Sequence, residues 1–397
     1  MKIKVLVSYY EMMVGGSTTS LIAFLNNIDK SRYEVHLQLY RNHGVEKYNI
    51  PKDVVLLPEA ELYKGKTGQI VKFIKLLFSG ALFKVIRLNK RYGANPIFGR
   101  ALVEYQAKLF SRKNKIKYDY AVGYLEGWSN KYVAYSVRAD VKYCWLHSSF
   151  ANLAPIPELE IPWIKKVDKV VFVANNCTKG FCEILPEYAD KAVTIMNITD
   201  SNLVREKAEN ADETDDVYLS FKSSEAFKII TVARTEISTK GLDRTIECAK
   251  KLKENGNSFM WMIVGDGRDF DKFKRMIQEA DVSDCVFAVG RRNNPCPFIK
   301  AADVFCMLSR YEGMPMAVTE SMILGVPPIV TSYSSAHEQI NNGIDGIIVE
   351  NSDDSAYYEL NRCIDCPDVV RKMKEYLLNH DYGNNDYMRE IENVYFS

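Results

Sequence analysis

The chain has 397 residues, 47% hydrophobic and 26% charged, which is typical of globular proteins and excludes a disordered tail, a collagen-like chain and a small disulfide-stabilised domain. The length predicts two domains. The net charge of +1 hides an asymmetry: residues 1–200 carry 29 Lys and Arg against 18 Asp and Glu, and residues 201–397 carry 23 against 33. The halves therefore have opposite charge, which indicates that the first faces an anionic partner.

The chain begins with a strand–helix–strand pattern. Ile3–Val7 is apolar and rich in β-branched residues, and it is followed by Gly15-Gly16. Ser17-Thr18 is predicted to cap a helix, since apolar residues follow at helical spacing. Tyr33–Tyr40 alternates as a second strand. These elements predict the start of a parallel sheet in a Rossmann-like domain over residues 1–200.

Residues 64–117 form a basic segment that interrupts this alternation. It contains fourteen Lys and Arg residues and a single acid, Glu104. Apolar residues cluster at positions 70–78, and basic residues alternate with them. This pattern is typical of a basic amphipathic helix on an anionic bilayer. A solvated basic helix packed on the domain is the alternative. Nucleic acid is not expected as a partner, because no reader motif accompanies the segment.

The second half alternates strands and helices more regularly. Residues 201–225 are polar and acid-rich, and we predict a linker there. A second Rossmann-like domain is predicted over 226–380, followed by a C-terminal helix over 381–397 that returns to the first domain. The predicted strands are Lys228–Ala233, Phe259–Val264, Cys285–Val289, Val304–Leu308 and Pro328–Thr331. The expected fold class is α/β, a doubly wound arrangement in which the carboxyl ends of both sheets face one cleft.

Targeting and metal-binding signals are weak. The first residues are too short and too alternating for a signal peptide, and no run of about 18 uncharged apolar residues occurs. The nine cysteines are scattered, and we interpret Cys363 and Cys366 as structural thiols. Asp269-Phe270-Asp271 spells a D-x-D motif, but at a helix start acids also serve as caps. A cytoplasmic protein without a metal is expected.

The densest motif runs from Arg310 to Glu320. A predicted strand ends before it and a helix begins at Pro315, a residue suited to the first helical position. The free backbone N–H groups of the stretch Gly313-Met314-Pro315-Met316 are therefore expected to point into the cleft at the positive end of the helix dipole, which favours a diphosphate. Glu320 would then lie one turn and a half into the helix, within reach of a ribose. Glu312 precedes the helix and would face the group beyond the phosphates.

Glu312 and Glu320 form an E-x7-E pair that resembles the donor site of family 4 glycosyltransferases, which are retaining enzymes with the two-domain GT-B fold. Other segments match in the same order. The resemblance implies that Arg234 and Lys240 hold the donor diphosphate. The remaining implied donor-binding residues are Gly15, Gly16, Gly265 and Arg291, and His147 after Trp145-Leu146 is implied near the transferred sugar. A satisfied core histidine is the alternative for His147.

The sequence thus predicts a retaining, bacterial-type glycosyltransferase. It would transfer a sugar from a nucleotide-diphosphate donor, UDP-linked, to a polysaccharide precursor or a lipid-linked acceptor, as a peripheral protein at the inner face of the plasma membrane. Arg and Lys neutralise the leaving diphosphate, so no metal or other cofactor is expected. Two alternatives stay open: a sugar-nucleotide epimerase of the same fold, and a non-catalytic nucleotide-sugar-binding membrane partner.

Overall fold

The computed structural model describes residues 2–92 and 97–396. The chain divides into two compact units. The first contains Met1–Met196 and Met388–Ser397, and the second contains Asn197–Tyr387. Residues 93–96 of the predicted basic segment lie outside the described residues.

The first unit is built on a seven-stranded parallel sheet with the order β3-β2-β1-β4-β5-β6-β7. Because both faces of a parallel sheet are covered, β1 and β2 are almost continuously buried, and β4 is buried over its last three residues. The strands are β1 Ile3–Tyr9, β2 Tyr33–Leu39, β3 Val55–Leu56, β4 Lys117–Gly123, β5 Arg138–Leu146, β6 Lys169–Phe172 and β7 Ala192–Thr194. The helices are α1 Gly16–Asn27, α2 Gly65–Phe78, α3 Ala81–Tyr92, α4 Ile97–Leu109, α5 Trp128–Ser136, α6 Pro157–Ile164 and α7 Asn175–Ile184.

Helix α1 begins two residues earlier than the predicted Ser17-Thr18 cap. Gly15 occupies the N-cap position, and its carbonyl accepts hydrogen bonds from the N–H groups of Thr18 and Thr19. The hydroxyls of Ser17 and Thr18 instead bond to the Tyr9 hydroxyl, at 2.8 and 3.0 Å. The cap prediction is therefore wrong, because these side chains fasten α1 to the end of β1.

The basic segment forms three helices, α2, α3 and α4, before β4. Helix α4 packs on the unit, and its buried Glu104 pairs with Lys84 at 2.7 Å and with Lys108. Helix α2, by contrast, exposes the apolar side chains of Ile70, Phe73, Ile74, Leu77 and Phe78. The alternative of a basic helix packed on the domain thus holds for α4, whereas α2 has an exposed apolar face. Within the described ranges, no helix combines the length and apolarity needed to cross a bilayer.

The C-terminal helix, α18 Tyr387–Tyr395, is held on the first unit by hydrogen bonds. The Glu392 carboxylate accepts the N–H of Asp29 at 2.6 Å. The hydroxyls of Tyr33 and Tyr143 donate to the carbonyls of Phe396 and Tyr395, at 3.0 and 2.8 Å. The end of the chain is thereby part of the first unit.

The second unit has a six-stranded parallel sheet with the order β10-β9-β8-β11-β12-β13. Successive residues of one strand, such as Trp261 and Met262, belong to two separate buried clusters, so both faces of the sheet are covered by helices. The strands are β8 Phe227–Val232, β9 Phe259–Val264, β10 Val286–Gly290, β11 Val304–Met307, β12 Pro328–Thr331 and β13 Ile347–Val349. The helices are α8 Ser201–Glu209, α9 Asp216–Ser223, α10 Ile237–Lys240, α11 Leu242–Glu254, α12 Phe270–Glu279, α13 Cys296–Lys300, α14 Met316–Ile323, α15 Ala336–Gln339, α16 Ser355–Asp365 and α17 Pro367–Leu378.

Residues 201–225 do not form the predicted linker. They contain α8 and α9, which belong to the second unit. Asp200 and Asp215 cap these helices through their carboxylates. The buried apolar side chains of α8 are Val204 and Ala208, which belong to one cluster with Cys296 and Ile323. Only a few apolar positions in each helix are buried. Most residues of this segment are therefore polar, and its composition resembles that of a linker.

Candidate functional site

The site predicted from the E-x7-E pair lies after β11, at the carboxyl edge of the second sheet. The chain leaves β11 at Met307, passes through residues 308–314 and enters α14. Pro315 occupies the N-cap position rather than the predicted first helical position, and the described residues supply no side-chain cap to this helix. The Val318 N–H donates to the Pro315 carbonyl at 3.2 Å, so within the described residues the first-turn N–H groups of α14 left for an external acceptor are those of Met316 and Ala317. Gly325 ends the helix region with a φ of 74°, as predicted.

Lys240 and Glu312 meet directly at this edge. The Lys240 Nζ lies 2.7 Å from Glu312 Oε1, and the two side chains are only 14% and 9% exposed. Gly241 makes this approach possible, since its φ is +63° and a Cβ atom there would lie 2.0 Å from the Leu308 carbonyl oxygen. The turn after α10 is thus pressed against the end of β11.

A second ion pair locks the same two segments together. Arg310 binds Asp243 with two hydrogen bonds, of 2.8 and 2.6 Å, and its own N–H donates to the Thr239 carbonyl at 2.9 Å. A bidentate guanidinium–carboxylate pair fixes orientation as well as distance. It holds α10 and the start of α11 beside the loop that carries Glu312.

Residues 333–339 support the other side of that loop. The Ser334 hydroxyl donates to the Glu312 carbonyl at 3.3 Å, and the buried Ser335 hydroxyl donates to the Gly313 carbonyl. The Gln339 amide donates to the Pro315 carbonyl at 2.9 Å. Ser334 and Ser335 thus fix the backbone of the loop that carries Glu312.

Glu320 lies on α14 and is partly buried. Desolvation raises the pKa of its carboxyl group, and the positive charge of Lys207 on α8 opposes that shift. Within the described part of the chain, its carboxylate has no hydrogen-bond or ion-pair partner. A partly buried carboxylate without a partner is costly, and it can accept hydrogen bonds from the hydroxyls of a ligand.

The other predicted residues of this unit follow β8, β9 and β10. Arg234 is 67% exposed and pairs with Glu236 at 3.2 Å. Gly265 has a φ of +150°, and a Cβ there would lie 1.8 Å from the Ala233 carbonyl oxygen, so the chain turns tightly beside Arg234. Arg291 is partly exposed, whereas its neighbour Arg292 is held by Asp215 at 2.7 Å. The structure thus joins Lys240 to the Glu312–Pro315 loop and leaves Arg234 at an exposed position on the same edge.

The D-x-D motif has a structural role. Asp269 Oδ2 accepts the N–H of Ile237 at 3.0 Å, at the start of α10, instead of capping its own helix. Over the described ranges, no group of three or more His, Cys, Asp and Glu side chains could hold a metal ion. Asp269 therefore contributes to the position of Lys240.

In the first unit, His147 follows β5 and is held by two neighbours. Its backbone N–H donates to Glu126 Oε2 at 3.0 Å, and its ring Nε2 lies 3.0 Å from the Tyr124 carbonyl oxygen. The other Glu126 oxygen accepts the Ser148 hydroxyl at 2.6 Å. Sequence reasoning missed Glu126, although it follows β4, the strand next to β5, and ligands of parallel sheets bind near the carboxyl ends of the strands.

Gly15 and Gly16 lie at the carboxyl end of β1, where α1 starts. Nothing lies within 4 Å of a Cβ built on Gly15, and α1 has no side-chain cap among the residues described. The first turn of α1 is thereby open on this side, as a close backbone approach to a ligand requires.

Sequence similarity to known proteins covers part of the chain, whereas structural similarity covers nearly all of it. Residues 219–379 match the family model described as "Glycosyl transferases group 1". The amylovoran biosynthesis glycosyltransferase AmsK of Erwinia amylovora is 31% identical over 137 residues, covering 32% of this chain and 33% of that protein. An Escherichia coli protein named UDP-Gal:alpha-D-GlcNAc-diphosphoundecaprenol alpha-1,3-galactosyltransferase is 33% identical over 110 residues, covering 27% and 28%.

The matches to curated relatives span less than half the length of those proteins. The structural similarity extends over nearly the whole chain: HepE from Anabaena, crystallised with UDP and glucose, superposes with a TM-score of 0.67 and 14% identity over 99% of both chains. A crystal structure titled WaaG, a glycosyltransferase involved in lipopolysaccharide biosynthesis, gives a TM-score of 0.62 at 14% identity. The chain therefore has the GT-B fold of two Rossmann-like units, as predicted.

Proposed function

We propose that the protein is a retaining glycosyltransferase that transfers a sugar from a UDP-sugar to a polysaccharide precursor or a lipid-linked acceptor. The observation that carries this proposal is the juxtaposition of Lys240 and Glu312 beside the uncapped start of α14, with Glu320 unpaired on the same helix. The relatives whose names give a donor or a biosynthetic role support the same class of reaction.

The diphosphate of the donor would lie against the first turn of α14. Lys240 would exchange the Glu312 carboxylate for a phosphate oxygen, and the helix N-terminus would add further hydrogen bonds and a favourable dipole. Arg234 is exposed enough to reorient toward the same group, and its planar guanidinium suits a phosphate. These charges stabilise the leaving diphosphate, and we propose that no metal is needed. Gly265, Arg291, Gly313 and Met314 would complete the contacts to the donor.

Glu320 would accept the ribose hydroxyls of the nucleotide. Glu312, once released by Lys240, would face the transferred sugar, where a carboxylate stabilises positive charge on the anomeric carbon. Retention follows from front-face attack, in which the acceptor oxygen bonds the anomeric carbon as the diphosphate leaves, and the leaving phosphate oxygen takes the acceptor proton. In the first unit, the assignments of His147 to the sugar and of Gly15 and Gly16 to the phosphates rest on the sequence resemblance.

Membrane association is part of this proposal and rests on α2 and α3. Helix α2 exposes Phe73, Ile74 and Leu77 at 62%, 47% and 45%, and α3 exposes Phe83 at 78%. Basic side chains flank these apolar residues, which favours an anionic lipid surface. We therefore place the protein at the inner face of the plasma membrane.

Liposome flotation tests the membrane assignment. Vesicles with anionic lipid should carry the protein upward, and neutral vesicles should carry less. A Phe73→Ser/Leu77→Ser variant should lose most of the binding, whereas Tyr358→Ser, at an exposed aromatic of the second unit, should not. Equal flotation of the wild type with both vesicle types contradicts the assignment.

A thermal-shift screen tests the donor. UDP and UDP-sugars should raise the unfolding temperature of the wild-type protein, since a ligand at 100 times its Kd adds about 2.7 kcal/mol to stability. Glu312→Ala should abolish turnover while UDP still binds, which separates an enzyme from a silent binding partner. An absence of any nucleotide-dependent shift would refute the proposed donor site.

A further inference from the structure

Arg244 is a buried arginine in the first turn of α11 that the proposed reaction does not use. Its side chain is only 7% exposed, and its guanidinium contacts two chain segments outside its own helix. Nη1 donates to the Leu308 carbonyl at 3.4 Å and to the Asn351 side-chain oxygen at 2.6 Å, and Nη2 donates to the Asn351 carbonyl at 3.3 Å. Nε donates to Asp353 Oδ1 at 2.7 Å. Arg244 therefore joins the end of β11 to the segment that follows β13.

That segment reaches along the edge of the sheet, because β12 lies between β13 and β11. Asn351 completes the connection, since its Nδ2 donates to the Arg310 carbonyl at 3.0 Å. One asparagine thus accepts from Arg244 and donates to the backbone two residues before Glu312. The loop that carries Glu312 is thereby held from the end of β13 as well as from α10.

The charged side chains around Arg244 compensate one another. Arg310 pairs with Asp243 at 2.6 Å and lies 3.6 Å from Asp353, which also accepts from Arg244. Two guanidinium groups thus face two carboxylates, and a buried cation with such partners is stable without a phosphate. This arrangement indicates that Arg244 places other residues and does not bind the donor itself.

The Leu308 carbonyl is where Arg244 acts on the turn that carries Lys240. The oxygen that accepts from Arg244 would lie 2.0 Å from a Cβ atom on Gly241, the residue after Lys240. The backbones are therefore in direct contact at this point, and a shift of the carbonyl would move the turn. The 2.7 Å separation of Lys240 and Glu312 thus depends on the position that Arg244 gives to this carbonyl.

We propose that Arg244 is a positioning residue of the donor site. It holds the end of β11 and the Asn351 segment together, so that Lys240 and Glu312 meet the donor at fixed distances. The inference rests on the proposed function, which supplies the donor. A site whose geometry is set before binding loses less free energy in ordering its groups, and small displacements of such groups weaken it strongly.

UDP titration of the full-length protein tests this role, with Arg244→Lys as the variant that keeps the buried positive charge. A lysine can pair with Asp353 but lacks the planar fork that also reaches Asn351 and Leu308. We therefore expect UDP to bind about tenfold more weakly. Ile277→Ala, which removes a buried side chain from α12 of the same unit, is the matched control. It should lose stability but bind UDP as the wild type does. Normal UDP binding by Arg244→Lys, or an equal loss in the control, would overturn the inference.

Hydrogen exchange shows whether the change is local. The Arg310 N–H donates to the Thr239 carbonyl at 2.9 Å, across the contact that Arg244 supports. In Arg244→Lys this amide should exchange at least about tenfold faster than in the wild type. The Trp261 amide, which donates to the Cys285 carbonyl inside the sheet, should change less. Equal acceleration of both amides would show a general loosening and would overturn the inference.

Asn351→Ala tests the connection from its exposed end, so it carries the test even where Arg244→Lys does not fold. It removes an acceptor of Arg244 and the donor to the Arg310 carbonyl, and it should weaken UDP binding by a similar factor. The double variant Arg244→Lys/Asn351→Ala should bind UDP no more weakly than the weaker single variant, because both changes break one connection. Losses that multiply would overturn the inference. A wild type that binds no UDP refutes the proposed function, whereas UDP binding that ignores both substitutions refutes only the role of Arg244.

Discussion

Lys240 and Glu312 neutralise each other across 2.7 Å, although the proposed reaction needs both of them for the donor. Their pairing keeps two poorly exposed charges compensated until a diphosphate arrives. Donor binding would then be an exchange of partners, in which the lysine takes a phosphate oxygen and the glutamate is released toward the sugar.

Lys240→Met tests this exchange. It leaves the 9% exposed Glu312 side chain without its cation, so we expect a loss of about 1–3 kcal/mol in the free energy of unfolding and a UDP affinity about 10–100-fold lower. Urea unfolding and UDP titration measure the two effects. The double variant Lys240→Met/Glu312→Gln should recover stability but not affinity, and a double variant as unstable as the single one would argue against the pairing.

Gly241→Ala should disturb the site through the backbone. Alanine would have to adopt a φ of +63° with its Cβ against the Leu308 carbonyl oxygen, so we expect a loss of about 2–4 kcal/mol and weaker UDP binding. Gly256→Ala is a matched control, because its φ is +78° but nothing lies within 4 Å of the added Cβ, and about 1 kcal/mol is expected. Similar losses in both variants would show that the close approach to Leu308 is unimportant.

Glu320→Gln should make the ligand-free protein more stable at neutral pH. Because the pKa of Glu320 is raised in the folded state, the folded protein binds this proton more tightly than the unfolded chain does. Wild-type stability therefore falls as pH rises from the ordinary glutamate pKa through the raised value. The variant lacks this fall, so its stability advantage should appear above that window and disappear below it.

The same variant should bind UDP about 10–100-fold more weakly, because the amide accepts ribose hydroxyls less well than a charged carboxylate. Denaturant unfolding at several pH values and UDP titration measure both effects, with the exposed Glu279→Gln as control. A variant that binds UDP normally would remove the ribose assignment.

Glu126→Ala should loosen the segment after β5. It deletes the acceptor of both the His147 N–H and the Ser148 hydroxyl, so the His147 amide should exchange with solvent at least about tenfold faster. We expect a lower kcat for sugar transfer at nearly unchanged UDP affinity. Ser148→Ala removes only one of the two bonds and should have a smaller effect, and slow exchange of His147 in Glu126→Ala would show that another group holds this amide.

Much of the fold was predictable because it depends on short-range patterns. Buried parallel strands such as Phe259–Val264 and Pro328–Thr331 read as continuous apolar runs, and their bounds agree with the sequence prediction. The order of strands and helices, the loop before α14 and the end of that helix at Gly325 follow from residue types that are adjacent in the chain.

Features that depend on contacts between residues far apart in the chain could be seen only in the tertiary structure. Helices α8 and α9 form because apolar side chains such as Val204 and Phe221 pack on the second unit, whereas the acid-rich composition of residues 201–225 favoured a linker. The pairing of Lys240 with Glu312 joins residues 72 apart, and that of Glu126 with His147 joins residues 21 apart. The sequence determined which segments become strands and helices, since backbone preference and burial periodicity act over a few residues. Only the packed structure decided which charges meet, because that depends on which strand ends lie side by side in the sheet.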